Sequence, residues 1–173
     1  MSTTGKGVVV YTHQGMGDQI ECNGLVRDIC EHGVRFAPLR VLSDRIGIEY
    51  DYVDLIAKEL YVEGVEFMYR DVPNIRKIHV IPDEFSWDYT LEFAWVIKMA
   101  QAQGIDLCQV GHKEYFDNLS YFTKRQQTTG QVFYALMGLP WSDRIDKFHI
   151  ERDYEQEQRV FEKLNPNNEK YIF

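Results

Sequence analysis

Apolar and polar residues alternate along this chain in blocks that predict strands separated by helices. Short runs rich in β-branched residues, typical of strands buried on both faces, are followed by stretches in which apolar residues recur every three or four positions. The predicted strands are Gly7–Thr12, Phe36–Leu42 (weakened by Pro38), Val65–Tyr69, Ile75–Ile81 and Ile105–Val110. The predicted helices are Asp18–Gly33, Asp51–Glu63, Trp87–Gln103, Gln131–Met137 and Asp153–Leu164.

This alternation predicts an α/β domain with a mostly parallel sheet and helices on both faces. Residues 1–164 are expected to form one domain, since a chain of 173 residues can bury a substantial core. The break at Asn165–Asn168 and the apolar residues Tyr171–Phe173 indicate that residues 165–173 are a linker or the start of a second domain. A short terminal strand at Tyr171–Phe173 is the alternative.

The charge balance argues against a nucleic acid as the main partner. With 19 basic and 27 acidic residues the formal net charge is −8, whereas binding of a phosphate backbone needs concentrated positive charge. No apolar run reaches the roughly 18 residues of a membrane-spanning helix, and Met1–Lys6 lack the apolar core of a signal peptide. We therefore expect a cytoplasmic protein without a membrane span.

Neither the cysteines nor the histidines are spaced as a metal site. Cys22, Cys30 and Cys108 cannot all pair and form no CxxC motif, so reduced, mostly buried thiols are expected. The histidines show neither HxxxH nor HExxH spacing. The sequence predicts no metal and no other cofactor.

The best candidate for a ligand site is the stretch His13–Gln19, here called the glycine loop, which joins the first strand to its helix. Its glycines let the backbone turn sharply and approach a ligand, and open α/β sheets bind ligands at the carboxyl ends of their strands. The loop matches neither a complete GxGxxG motif nor a P-loop, which disfavours an ATPase. The alternative is a structural turn in which Asp18 only caps the helix.

Other polar residues are weaker candidates. His13 and His112 follow predicted strands and could bind an acceptor hydroxyl or a phosphate, or be hydrogen-bonded within their loops. Asn23 and Arg27 lie one helical turn apart, and either line the cleft or belong to a solvated helix face. The pairs Arg70–Asp71 and Arg152–Asp153 are phosphate ligands or, alternatively, turn, cap and ion-pair residues. The apolar helix Trp87–Gln103 is core, or a surface for another domain or an identical subunit.

The glycine loop and the helix after it resemble a known family. The stretches His13–Ile20 and Cys22–Arg27 are similar to the opening of GT-B-type glycosyltransferase-like proteins of bacteria and phages, related to the heptosyltransferase group, which carry a "GLGD" loop and an "NGLVR" helix. Phe67–Asp71 and Phe148–Asp153 also fit such sequences. Met16 stands where leucine is usual.

The resemblance implies half of a GT-B fold, in which two Rossmann-like domains face a cleft. This chain would be the domain that binds the acceptor, a small molecule or a glycan, while a second domain or a partner holds the nucleotide sugar. Asp18 would be the general base, with His13 as the second catalytic candidate. The residues expected to bind substrate are Gln14, Gly15, Met16, Gly17, Gln19, Asn23, Arg27 and His112.

The expected activity is therefore transfer of a sugar from a nucleotide donor to a hydroxyl acceptor, without a metal. The chain alone is expected to be inactive or to need a partner. A non-catalytic module that binds a nucleotide or a glycan is one alternative, and a structural domain that forms a homodimer is another.

Overall fold

The computed structural model describes residues 5–12, 15–34, 49–85, 88–110 and 125–167. Within them the strands are β1 Gly7–Tyr11, β2 Tyr52–Lys58, β3 Ile75–Ile81 and β4 Asp106–Gln109. A 3₁₀ turn, Glu59–Tyr61, follows β2. The helices, numbered in chain order, are α1 Met16–Glu21, α2 Asn23–His32, α3 Val62–Tyr69, α4 Tyr89–Gln103, α5 Thr129–Leu136, α6 Asp143–Asp146 and α7 Tyr154–Leu164.

The four described strands form one parallel sheet in the order β3-β2-β1-β4. Val8 of the central strand β1 pairs with Val53 of β2 and with Asp106 of β4. The chain therefore builds outward from β1 in one direction to β3, and then crosses to the other side of β1 for β4. The predicted α/β fold with a parallel sheet is confirmed, and its topology is Rossmann-like.

Helices cover both faces of the sheet, as predicted. One face packs on α2, α3 and α5, and the other on α4. Crossovers of one hand place their helices on opposite faces of the sheet when strands are added first on one side of β1 and then on the other. This explains why α4 lies on the face opposite α2 and α3. Every residue of β1 is buried, with Val8 and Val10 in the first core and Val9 and Tyr11 in the second.

The helix predicted over Asp51–Glu63 is wrong: Tyr52–Lys58 is the strand β2. Its residues from Val53 to Ala57 are all buried, so the strand has no alternating pattern of apolar and polar residues. Asp54 is fully buried because Arg76 donates to its carboxylate from Nε at 2.9 Å, and His79 Nε2 lies 2.7 Å from it. Such partners offset the cost of burying a charge, and they are visible only in the folded sheet.

The strand predicted over Val65–Tyr69 is also wrong, because these residues form the last part of the helix α3. Val65, Met68 and Tyr69 are buried, at the spacing by which one helix face meets a core. A short apolar run does not distinguish a strand from a buried helix.

Several other boundaries agree with the sequence. The strands β1, β3 and β4 form where predicted, within about two residues. Gly33 and Gly104 end α2 and α4 with positive φ angles of 73° and 63°, which glycine adopts at little cost. Asp153 caps α7, accepting a hydrogen bond from Gln156 N at 2.8 Å. The predicted strand Phe36–Leu42 lies outside the described residues.

Gly24 lets α2 approach α6 closely. A Cβ at this position would lie 2.4 Å from the Asp143 carbonyl oxygen and 3.0 Å from the Tyr134 hydroxyl. We predict that Gly24→Ala destabilises the protein by about 1–3 kcal/mol, because backbone must move to admit the methyl group. Gly17→Ala is the matched control, since a Cβ there meets nothing within 4 Å. Urea unfolding of both variants measures the difference, and equal stabilities would contradict this packing.

Asp54 should make the stability of the protein sensitive to acid. Burial acts to raise the pKa of its carboxyl, but hydrogen bonds from His79 and Arg76 outweigh burial and hold that pKa below the ordinary value of 3.8. A lowered pKa stabilises the fold above the unfolded value, and this contribution is lost as pH falls through the folded value.

We therefore predict that Asp54→Asn lowers the free energy of unfolding at neutral pH. The difference from the parent should stay constant down to about pH 4 and shrink below it. Urea titrations at a series of pH values measure both quantities. If the difference in the free energy of unfolding between the parent and Asp54→Asn does not depend on pH, the charge of Asp54 contributes nothing to stability.

Candidate functional site

The described part of the glycine loop, Gly15–Gln19, lies just after the carboxyl end of β1. The chain adds β2 on one side of β1 and β4 on the other, so the loop sits where the strand order reverses. Open α/β sheets bind ligands at this point. The structure confirms that the loop joins the central parallel strand to a helix. This helix begins at Met16, two residues before the predicted start at Asp18.

Gly15 makes room for the carboxylate of Asp18. Asp18 is the third residue of α1, and Gly15 precedes the helix. A Cβ on residue 15 would lie 2.8 Å from Asp18 Oδ2, so the carboxylate lies close to the backbone at the beginning of its own helix. Gly17 is exposed with open space around it. Asp18 itself is half-buried.

Met16 and Gln19 are directed toward the interior. Met16 packs against the core beneath α2 and α3, with its methyl group 2.3 Å from where a Cβ on Gly64 would lie. Gln19 is 3% exposed and has a polar partner. This packing holds α1 against the domain. Substrate binding by either residue stays a prediction.

Asn23 and Arg27 do not form a solvated helix face, and that alternative is wrong. Asn23 is fully buried, and its Oδ1 accepts a hydrogen bond from His149 N at 3.0 Å. The Arg27 guanidinium donates to both carboxylate oxygens of Asp71, at 3.0 and 2.8 Å. Because Asp71 lies in the turn before β3, Arg27 points toward the amino edge of the sheet, away from the glycine loop.

The remaining candidates divide into two groups. His13, Gln14 and His112 lie outside the described residues, so the structure does not place them. Of the arginine–aspartate pairs, Asp71 binds Arg27 and Asp153 caps α7. Their neighbours are engaged as well: Arg70 lies over the Phe67 ring and Arg152 contacts Glu157. These contacts agree with the alternative of turn, cap and ion-pair residues.

The sequence did not reveal a polar cluster at the carboxyl edge of the sheet. The hydroxyl of Tyr11, the last residue of β1, donates to Glu92 Oε1 at 2.7 Å. Lys58, the last residue of β2, has its Nζ 3.7 Å from the other oxygen of Glu92. Gln109, the last residue of β4, donates to the hydroxyl of Tyr89 at 3.2 Å. Three strand ends are thus bound to the first two turns of α4.

The polar residues at strand ends were the available signal for this cluster. Since the sequence pattern predicts a helix over Asp51–Glu63, it does not place Lys58 at the end of a strand. Glu92 is buried, with a side chain 5% exposed, whereas the side chain of Lys58 is 22% exposed. Burial, reinforced by the neighbouring Glu92, raises the pKa of Tyr11 well above its ordinary value, so Tyr11 stays protonated and donates. Because its side chain is 22% exposed, Lys58 provides a partly accessible cation at the carboxyl edge of the sheet.

The cysteines are unsuited to nucleophilic chemistry. All three are free thiols, as predicted. Burial raises the pKa of Cys30 to about 12 and that of Cys108 to about 12, so both remain protonated at neutral pH. Within the described ranges no group of three or more His, Cys, Asp or Glu side chains is arranged to hold a metal ion.

A tyrosine hydroxyl separates α1 from α2, which the sequence predicted as one helix. In a continuous helix the N–H of Leu25 would donate to the carbonyl of Glu21. Instead the Tyr134 hydroxyl accepts from Leu25 N at 3.1 Å and donates to the Glu21 carbonyl at 3.1 Å. A side chain inserted in this way kinks a helix. Tyr134 therefore sets the direction of α1, and with it the position of Asp18.

The chain matches no protein-family model, no curated protein and no solved structure. In the part of the chain that the structure describes, no helix is long and apolar enough to cross a membrane.

We predict that Tyr134→Phe lowers the free energy of unfolding by about 1–3 kcal/mol, because the loss of the hydroxyl leaves the Leu25 N–H and the Glu21 carbonyl without their partner. Tyr154→Phe is the matched control, since Tyr154 is 69% exposed and such surface changes cost within about 0.5 kcal/mol. Thermal and urea unfolding measure both. If Tyr134→Phe and Tyr154→Phe are equally stable, the hydrogen bonds of the Tyr134 hydroxyl contribute nothing to the free energy of unfolding.

Proposed function

We propose that this chain is the acceptor-side domain of a GT-B-type glycosyltransferase and that Asp18 is its general base. The observation that supports the proposal most directly is the position of Asp18. It lies in the first turn of the helix that follows the central parallel strand, and its carboxylate lies close to the backbone of Gly15. The resemblance of His13–Arg27 to the glycosyltransferase-like proteins supports the same role.

The proposed reaction needs one proton acceptor on this side of the cleft. Asp18 takes the proton of an acceptor hydroxyl while the hydroxyl oxygen forms a bond to the anomeric carbon of the donor sugar. The bond from that carbon to the nucleotide phosphate breaks, and the nucleoside diphosphate leaves. A carboxylate within hydrogen-bond reach of the hydroxyl can perform this step. The nucleotide sugar is held by a second domain or by a partner protein.

The cation of Lys58 supports binding of a polar ligand at the same edge. Lys58 ends β2, the neighbour of β1, and Glu92 holds its ammonium from the side of α4. An ammonium donates to sugar hydroxyls without forming a covalent bond. We assign Lys58 to acceptor binding.

A module that binds a glycan without chemistry is the second candidate function. Asp18 Oδ2 lies close to the backbone of Gly15, and an acid at this helix position often caps the N–H groups of its own helix. If capping is its only role, the same loop can bind a ligand without catalysing transfer.

Replacing Asp18 by asparagine separates the two functions. Asparagine has the shape of aspartate and keeps one side-chain oxygen that can accept from a backbone N–H, but it cannot act as the base. The full chain would be supplied with nucleotide sugars, glycan acceptors and a donor-binding domain, and transfer would be followed as release of the nucleoside diphosphate. We predict that Asp18→Asn lowers the rate by about 10²–10⁴-fold while thermal stability is unchanged.

Asp153→Asn is the control, because the same substitution there removes the carboxylate that caps α7, away from the glycine loop. Its rate should stay within a few-fold of the parent. A rate for Asp18→Asn within the same few-fold would mean that Asp18 is a cap and not the base. A parent that binds glycans but transfers no sugar would establish the non-catalytic module instead.

A further inference from the structure

Exposed apolar side chains of α1 and α3 form a strip that begins at the carboxyl edge of the sheet. Leu60, in the turn between β2 and α3, is 81% exposed, Phe67 of α3 is 42% exposed and Ile20 of α1 is 43% exposed. Between Leu60 and Phe67 lies Gly64, which has no side chain, and the methyl group of Met16 occupies that place. We call Ile20, Met16, Leu60 and Phe67 the α1–α3 strip.

The strip is contiguous because α1 packs on α3 at Gly64. Ile20 follows Met16 by one helical turn and therefore lies on the same face of α1. Leu60 and Phe67 are about 10 Å apart along the axis of α3, with the Met16 side chain between them. Single exposed apolar residues are common on protein surfaces, whereas a contiguous apolar patch marks an interaction site.

Three carboxylates lie beside the strip, and no cation balances them. Glu59, Glu63 and Glu66 are all exposed. The segment from Glu59 to Tyr69 contains neither lysine nor arginine. Among the residues that the structure describes, these three glutamates have no ion-pair partner. The outer side of α3 is therefore both apolar and negatively charged.

The helix α7 also exposes apolar side chains, but its charges are balanced within the chain. Arg159 donates to Glu155 one helical turn away, at 3.4 Å, and Arg152 contacts Glu157. A charged partner therefore gains little at α7, because it would compete with these pairs. At α3 the carboxylates are available, so the α1–α3 strip is the surface where charge selects the partner.

An apolar strip beside unbalanced carboxylates complements an amphipathic helix that carries lysine or arginine next to its apolar side. Such helices dock through apolar residues spaced three or four positions apart. A second copy of this chain is a poor match, because it would bring a net charge of −8 and the same glutamates to the contact. We propose that the α1–α3 strip binds a basic amphipathic helix of another protein.

The partner helix would also contact the glycine loop, because Met16 belongs to both the loop and the strip. Its docking would therefore be felt by the amides of Gly15–Gln19 as well as by those of α3. The proposal itself is independent of the chemistry proposed for Asp18, since the strip binds a protein and not the sugar acceptor.

The test uses the full chain and a designed peptide of about 18 residues, roughly five helical turns. The peptide has leucine along one side and lysine beside it. One control peptide replaces every lysine with glutamate, and a second contains the same leucine and lysine residues in an order that gives no apolar side. Binding is followed by fluorescence anisotropy of a dye on the peptide at about 0.1 M salt.

We expect the basic amphipathic peptide to bind with a dissociation constant of about 100 μM or tighter, and both control peptides to bind at least about tenfold more weakly. With ¹⁵N-labelled protein, the basic peptide should shift the amides of Ile20 and of residues 60–67. Shifts confined to other parts of the chain would place the contact elsewhere and overturn the proposal.

The double variant Ile20→Gln/Leu60→Gln tests the apolar part of the contact. Both side chains are exposed, so the fold should be retained, and peptide binding should weaken by about tenfold or more because buried apolar anchors dominate such interfaces. Val160→Gln/Leu164→Gln is the matched control, since these α7 side chains are similarly exposed, at 45% and 72%. It should bind the peptide like the parent.

The triple variant Glu59→Gln/Glu63→Gln/Glu66→Gln tests the charge. It should weaken binding by about fivefold or more at 0.1 M salt. At 1 M salt, where the screening length falls from about 10 Å to about 3 Å, parent and variant should bind alike. The control with the same charge change is Glu49→Gln/Glu155→Gln/Glu162→Gln, at exposed positions outside α3, and it should keep most of the affinity.

Each other outcome overturns the proposal. No binding of the basic amphipathic peptide would mean that the strip does not dock such a helix. Equal binding of the reordered peptide, or equal weakening in both triple variants, would show attraction by net charge alone. A dimer seen by sedimentation of the parent but not of Ile20→Gln/Leu60→Gln would make a second copy the occupant. None of these outcomes changes the test of sugar transfer by Asp18.

Discussion

The burial of β1 on both faces is the constraint on which the rest of this fold depends. A strand covered on both sides must be apolar throughout, and Gly7–Tyr11 satisfies this. Its position between β2 and β4 makes the chain reverse direction in the sheet. The loop after β1 consequently lies where the strand order reverses. The location of the candidate site follows from this arrangement before any particular side chain is considered.

Tyr134 links that site to the C-terminal half of the described chain. Its hydroxyl takes the place of a helical hydrogen bond between Glu21 and Leu25, and Gly24 lets α6 approach the same break. The orientation of α1, which carries Asp18, therefore depends on residues more than 100 positions away in sequence. Substitutions in α5 can change the site without any contact to a ligand.

Ion pairs of buried carboxylates hold several elements of the domain together. Asp54, Asp28 and Glu92 are all buried, and each has a cationic side chain within contact distance. Such pairs add little net stability, but removing one partner is costly because the other charge stays buried. The pair at Glu92 joins the end of β2 to α4 at the carboxyl edge of the sheet, and the pair at Asp28 joins α2 to the residue after α6.

The sequence by itself determined the fold class, the central strand, the glycine loop and the ends of several helices. These features depend on local patterns: an apolar run, a glycine where φ is positive, an aspartate before a helix. Only the tertiary structure decided that Tyr52–Lys58 is a strand and Val65–Tyr69 a helix, since Asp54 is paired by residues from the next strand. It also decided that α1 and α2 are separate, and that Asn23 and Arg27 face the amino edge. In each case the deciding partner is distant along the chain, and spacing within one segment carries no information about it.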